Sequence, residues 1–192
     1  EILKVSVSDF IKESLEQVID LRPEIINSRS EFGHGEIDTV IGSKSKEDNI
    51  LLTLIERMTR KQIIRMIPSK TADAVQNSIN ELFTECGSLY TKVFKSFTAD
   101  NGLEFSRLST LENSSNLRVY FAHPYSSGER GTNERHNGLI RRFIPKGRRI
   151  KDYTHKNIIK VQNWCNSLPR KILNYLTPDQ AFEDQIRELF YQ

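Results

Sequence analysis

Between Gly33 and Ile67 the chain carries three apolar, β-branched runs joined by connections too short to hold a helix. Residues 33–42, 50–58 and 61–67 each read as a strand, separated by a polar stretch at 44–49 and a tight turn. Strands joined this closely run antiparallel, because a parallel pair needs a crossover of a dozen or more residues. The period then changes. Ala74, Val75, Ile79, Leu82 and Phe83 form a helical stripe over 71–86, with Thr71 as cap and Gly87 as stop. Strands and helices alternate from there. A strand over 93–99, a short helix over 106–113 and a strand over 117–122 precede a helix over 129–143 that Pro145 closes. Helices over 157–168 and from Thr177-Pro178 onward complete the chain. The fold class expected is α/β, a mixed five-stranded sheet flanked by helices.

Residues 5–20 read as an amphipathic helix ahead of this core, carrying Phe10, Ile11, Leu15, Val18 and Ile19 on one stripe, and Arg22-Pro23 breaks it. We expect residues 1–30 to be a connector helix and 31–192 a core with appended C-terminal helices. The connector either packs on that core or pairs two copies, which makes a homodimer or higher oligomer the expected assembly. The 192 residues suit one domain with a short appendage. No apolar run approaches the roughly 20 residues that span a bilayer, so no membrane partner is expected. The chain opens on Glu1 rather than Met and lacks a signal-peptide layout, which reads as part of a longer cytoplasmic protein. Cys86 and Cys165 have no metal-ligand spacing and read as reduced thiols.

The net charge of +3 hides an asymmetry. Residues 129–151 hold Arg130, Arg135, Arg141, Arg142, Lys146, Arg148, Arg149 and Lys151 against only Glu129 and Glu134. Such local density favours a polyanion such as a nucleic-acid backbone, although a solubilising surface would also be basic. Arg130, Arg142, Lys146, Arg148 and Arg149 are the candidate phosphate contacts. On a helix, Arg130, Glu134, Asn137, Gly138 and Arg141 share one face, so Asn137 and Arg141 join the candidate DNA contacts.

Three carboxylates stand out against this background. Asp38 sits mid-strand, where Asp is disfavoured; Asp100 ends a strand before Asn101-Gly102; Glu134 lies in the basic helix. If the first and fourth strands are neighbours, the three converge on one edge. Clustered carboxylates repel, and a divalent cation removes that cost. Hard oxygen ligands suit Mg²⁺ or Mn²⁺ rather than zinc. Two such ions roughly 3.5–4 Å apart can activate a water or a 3′-hydroxyl for phosphodiester displacement. Taken singly, each has an ordinary reading: a strand-end turn residue, an Asp-Asn-Gly turn, and a helix-surface ion pair.

Several runs also match a known family, in order along the chain. They are Arg22-Pro23, Phe32-Gly-His-Gly-Glu-Ile-Asp-Thr-Val-Ile-Gly42, Glu56-Arg-Met-Thr-Arg60, Thr98-Ala-Asp-Asn-Gly-Leu-Glu-Phe105 and Tyr120-Phe to Pro124-Tyr125. Glu129-Arg-Gly-Thr-Asn-Glu-Arg-His-Asn-Gly-Leu-Ile-Arg141, Phe143-Ile-Pro-Lys-Gly147, Cys165-Asn-Ser-Leu-Pro-Arg-Lys171 and Thr177-Pro follow. From about residue 20 to its end the chain resembles the catalytic core of Asp-Asp-Glu transposases of the bacterial insertion-sequence-30 type. The 34-position spacing from Asp100 to Glu134 fits that family. The resemblance implies a ribonuclease-H-like, integrase-like fold. It implies Mg²⁺-dependent cleavage at transposon ends and joining to target double-stranded DNA, in the bacterial cytoplasm. It assigns Asp38, Asp100 and Glu134 as the metal-binding, catalytic triad. It further implies a helix-turn-helix region upstream that this sequence does not include. Two departures stand out: Gly35 and Gly128 occupy positions where the family usually has Trp. An inactivated domain that only binds DNA or partners, and a nuclease of the same fold, are the alternative readings.

Overall fold

The computed structural model describes residues 22–45, 47–114, 117–123 and 131–191, with side chains at 113–114 and 131–134 outside it. The helix expected over 5–20 and the position of Gly128 lie outside the described residues.

Five strands form one mixed sheet. They are β1 (His34–Ile41), β2 (Ile50–Glu56), β3 (Gln62–Ile67), β4 (Ser96–Ala99) and β5 (Arg118–Phe121), in the order β3-β2-β1-β4-β5. The first three strands pair antiparallel, as the short connections require. β4 runs parallel to β1, and β5 parallel to β4, so β1 and β4 are neighbours. The β1–β4 ladder ends at Glu36↔Thr98, two residues before Asp38 and Asp100.

Helices are α1 (Glu24–Asn27), α2 (Ala72–Cys86), α3 (Tyr90–Val93), α4 (Thr110–Ser114), α5 (Gly131–Ile140), α6 (His155–Asn166) and α7 (Pro178–Tyr191). One sheet face packs Ile37, Leu54 and Phe97 against Val75, Ile79 and Leu82 of α2, with Phe182 and Ile186 of α7 beside them. The other packs Val40, Leu51 and Ile64 against Ile140, Ile144, Ile150, Ile158 and Val161. Residues alternate between these faces along β1, so Asp38 shares a face with Val40 and lies on the α5–α6 side.

Caps explain most boundaries. The Thr71 hydroxyl accepts from the Ala74 N–H, and Gly87 takes positive φ past the end of α2. Thr154 and Asn157 cap each other reciprocally, so α6 starts two residues ahead of the predicted 157. Thr177 and Gln180 do the same for α7. The strand expected over 93–99 is shorter. Its first residue, Val93, ends the helical turn α3, which the Phe94 N–H closes onto the Tyr90 carbonyl at 2.8 Å and which Phe83 pins by stacking on Tyr90 at 4.7 Å. The helix expected over 106–113 starts later: a 3₁₀ turn, Leu103–Phe105, and turns over 106–109 come first, and only α4 is helical. The helix expected over 129–143 stops at Ile140, and turns carry Arg141–Ile144 into the second core.

The exposed edge of β3 is closed by side chains rather than by a strand. Asn166 of α6 accepts from the Gln62 N–H at 2.9 Å and donates to the Gln62 carbonyl at 2.8 Å. The Gln162 side chain accepts from the Ile64 N–H at 2.7 Å. Bare edges recruit other strands, and these amides remove the template. Asn166 is 1% exposed, so Asn166→Ala leaves two buried backbone groups without partners. The expected cost is about 3 kcal/mol, at roughly 1–3 kcal/mol per unsatisfied group. A urea melt checks it, and a loss under about 0.5 kcal/mol would show that water replaces the amide freely.

Candidate active site

The carboxyl ends of β1 and β4 are where a site belongs in this topology. The two parallel strands lie side by side, and the chain leaves them toward opposite edges of the sheet. Asp38 stands in the last half of β1, and Asp100 follows the last residue of β4. By alternation both project to the α5–α6 face, and both are half-buried.

Each aspartate is oriented by its own backbone neighbourhood. The Thr39 N–H donates to Asp38 Oδ1 at 2.9 Å, and Asn137 Nδ2 of α5 donates to Asp38 Oδ2 at 2.9 Å. The Gly102 N–H donates to Asp100 Oδ1 at 2.9 Å, an Asx turn of the kind the Asp-Asn-Gly sequence favours. Asn101 Nδ2 ties the same loop to the Ala122 carbonyl past the end of β5, at 2.9 Å. Each carboxylate oxygen has two lone pairs, so these bonds leave room for a further ligand.

Glu134 lies in α5, whose last turns pack against β1, but its side chain is among those not described. Arg130 lies outside the described residues. Among the described residues no group of three or more His, Cys, Asp or Glu side chains gathers as a metal cluster. The oxygen-only donors Asp38 and Asp100 nonetheless suit a hard cation.

Of the expected DNA contacts, Asn137 points inward to Asp38. Arg141 Nη2 donates to the Ile41 carbonyl at 2.8 Å, so this side chain braces the end of β1, and burial lowers its pKa. Arg142 is exposed and lies over the Trp164 ring at 5.7 Å. Lys146, Arg148 and Arg149 are exposed and form no ion pair among the described residues.

That basic loop is held by a residue whose sequence context gives no hint of the role. Asp48, 3% exposed, accepts from Ser43 Oγ at 2.9 Å, the Ser43 N–H at 3.2 Å, the Ile150 N–H at 3.1 Å and the Lys151 N–H at 3.0 Å. The Gly147 N–H adds a bond to the Gly42 carbonyl at 2.9 Å. The turn after β1 and the basic loop therefore form one rigid ledge beyond the aspartates. Its sequence signal, an Asp in a Ser- and Lys-rich turn, is indistinguishable from ordinary turn chemistry.

Motifs without an assigned role gather beside the site. Glu36, two positions before Asp38 on the same face, is fully buried and paired with Arg57. Arg57 Nε also donates to the Ile26 carbonyl of α1 at 3.2 Å, and Arg22 Nη1 donates to Thr98 Oγ1 at 3.3 Å. Burial, opposed by Glu36, lowers the Arg57 pKa; burial and Arg29 lower that of Arg60 to about 10, so both stay cationic at neutral pH. A second carboxylate in β1, two positions before Asp38, was the available signal.

A second polar constellation is sealed. His34 bonds Ser96 Oγ at 2.7 Å and Glu31 Oε2 at 2.6 Å, yet Ser96 is only 1% exposed. No substrate reaches that hydroxyl, so the trio ties β1 to β4 and does no nucleophilic chemistry.

No protein-family model matches the chain. Among curated relatives, it is 45% identical over 172 residues to the "Probable transposase for insertion-like sequence element IS1161" of Streptococcus salivarius, covering 90% of this chain and 48% of that protein. It is 39% identical to the transposase for insertion sequence element IS4351 of Bacteroides fragilis, covering 88% and 50%. It is 35% identical to transposase InsI for insertion sequence element IS30C of Escherichia coli (strain K12), covering 84% and 41%. Insertion-sequence transposases are thus its homologues over 84–90% of its length. The chain spans about half the length of the curated relatives it matches. Its fold is that of an integrase catalytic core. The catalytic core domain of BIV integrase superposes with a TM-score of 0.60, covering 84% of this chain and 100% of that one at 17% identity.

The absent indole at position 35 has a local reason. A Cβ on Gly35 would stand 2.6 Å from Leu54 Cδ1 and 3.0 Å from Phe97 Cδ1. Leu54 and Phe97 crowd the Cβ position, although a small cavity lined by Gly33, Gly35, Phe94 and Phe182 lies beside it. Among the described residues no helix is long and apolar enough to cross a membrane.

Proposed function

We propose that the chain is the catalytic domain of a DNA transposase, an Asp-Asp-Glu polynucleotidyl transferase of the bacterial cytoplasm. It cleaves phosphodiester bonds at insertion-sequence ends and joins those ends to target DNA. The observation that carries this reading is the placement of Asp38 and Asp100 on one face of two adjacent parallel strands, with Asn137 on Asp38. Glu134, three positions before Asn137 in α5, is the third carboxylate of this reading. Asp38, Asp100 and Glu134 would hold Mg²⁺ or Mn²⁺, which would supply activation of a water or 3′-hydroxyl and stabilisation of the leaving oxygen.

The protein's own groups do the rest. Asn137 and the Thr39 N–H fix both oxygens of Asp38, and the Gly102 N–H fixes one of Asp100. Arg142, Lys146, Arg148 and Arg149 hold phosphates along the ledge and so position the duplex without reading its bases. Arg141 acts on the ledge by bracing it.

The test uses the full-length protein, Mg²⁺ and a supercoiled plasmid carrying the inverted repeats that flank its own coding sequence. Nicks at the repeat boundaries are expected. Absence of nicking with both Mg²⁺ and Mn²⁺, or equal nicking with chelator present, overturns the reading. Lys146→Ala, Arg148→Ala and Arg149→Ala are together expected to weaken binding to that duplex. They should flatten its salt dependence by about 0.9 in log–log slope for each phosphate that is no longer neutralised. An unchanged slope removes the ledge from the interface.

A further inference from the structure

The β1–β4 ladder stops before both aspartates, so backbone pairing does not set their separation. Glu104 spans that gap. It lies in the 3₁₀ turn after Asp100 and is 5% exposed. Its Oε1 accepts from Thr39 Oγ1 at 3.2 Å and pairs with Lys70 Nζ at 2.9 Å. Its Oε2 rests against Gly102: a Cβ there would stand 2.5 Å from Glu104 Oε2 and 2.8 Å from Asp100 Oδ1.

The two residues that Glu104 touches are the two that orient the aspartates. Thr39 gives its backbone N–H to Asp38 and, from the opposite face of the strand, its hydroxyl to Glu104. Gly102 gives its N–H to Asp100 and its bare Cα to Glu104. One buried carboxylate is thus a single residue away from each aspartate, on two different elements. A third anionic group so close to Asp38 and Asp100 repels both. Lys70, before the start of α2, offsets its charge.

We propose that Glu104 is a positioning residue that fixes the separation of Asp38 and Asp100, with Lys70 as its counter-ion. This rests on the reading of the two aspartates as a divalent-cation site. A Gln at 104 still accepts from Thr39 and Lys70 and keeps the bridge, whereas Ala removes it. A neutral Gln also has no need of the ammonium.

The experiment measures Mn²⁺ binding to the full-length protein by electron paramagnetic resonance, with strand nicking recorded in parallel. Glu104→Ala is expected to weaken Mn²⁺ binding by about tenfold, the low end for a residue that supports a ligand. Glu104→Gln should stay within about threefold of the parent, on the same scale of outer-shell effects. Lys70→Met should weaken binding, and Glu104→Gln in the Lys70→Met background should recover it, an outcome that simple loss of packing does not produce. If Glu104→Gln loses Mn²⁺ as fully as Asp100→Asn, Glu104 is itself a ligand and the positioning role is wrong. If Glu104→Ala binds like the parent, or the parent binds no Mn²⁺, the bridge positions nothing. A parent that binds Mn²⁺ with this pattern but nicks no DNA supports the positioning role and overturns the transposase reading alone.

Discussion

Asp100→Asn in the full-length protein is expected to lower Mg²⁺-dependent strand cleavage by about a thousandfold or more, while the fold stays intact. The amide oxygen can still accept from the Gly102 N–H, so the Asx turn that shapes the loop survives. What is lost is the negative charge facing the cation. A thousandfold corresponds to about 4 kcal/mol of transition-state stabilisation at 1.36 kcal/mol per decade, in keeping with the several kcal/mol that metal-assisted charge stabilisation supplies. Single-turnover nicking gives the rate, and a thermal melt confirms that the variant is folded. A folded variant that nicks at the parent rate would falsify the assignment of Asp100. Asp38→Asn should behave alike, with the bonds to Thr39 and Asn137 reorganised. Glu134→Gln is the independent test of the third carboxylate: loss of cleavage with retained DNA binding is expected.

Gly35→Trp, which restores the indole common in the family, is expected to destabilise this chain by about 3 kcal/mol, the upper part of the usual overpacking range. Gly35 lies in β1, facing the first core, and the Cβ position alone comes within 2.6 Å of Leu54 Cδ1. An indole there has to displace Leu54 and Phe97, the second of which is fully buried between Phe83 and Phe94. Close-packed interiors resist such insertions because neighbouring side chains already sit in rotamer wells. Leu54→Ala opens the crowded side, so the double variant should recover part of the loss, a coupling that a melt of all four proteins reads directly. If Gly35→Trp melts with the parent, the core around Phe97 is more plastic than this packing allows.

Much of the architecture is legible in the sequence. The antiparallel meander, the helix over 71–86 and the mixed sheet follow from periodicity, caps and connection length, whereas the adjacency of the strands bearing Asp38 and Asp100 was only a condition that the strand pairing meets. The pieces that differ are those whose conformation depends on distant partners. Val93 reads as the start of a strand, yet stacking of Phe83 on Tyr90 holds it at the end of a helical turn. Asn137 and Arg141 have the pattern of outward-facing DNA contacts, and both turn inward. Asp48 and Asn166 carry no sequence signal beyond ordinary turn or helix polarity, and the one signal of Glu104 is its place just after Asp100, which turn chemistry explains equally well.

What the sequence by itself determined is the order and period of the elements and the positions of the two aspartates, because side-chain direction repeats every two or 3.6 residues whatever surrounds it. Only the tertiary structure decided which polar groups meet. The Asn137–Asp38 bond joins residues 99 positions apart, and the Asn166 bonds to β3 span 104. Contacts at that separation are set by packing of the sheet against its helices, and local propensity carries no information about them. The bridge through Glu104 is of the same kind. It links Thr39, 65 positions away, to the loop of Asp100, at the place where the β-ladder no longer holds the two strands together.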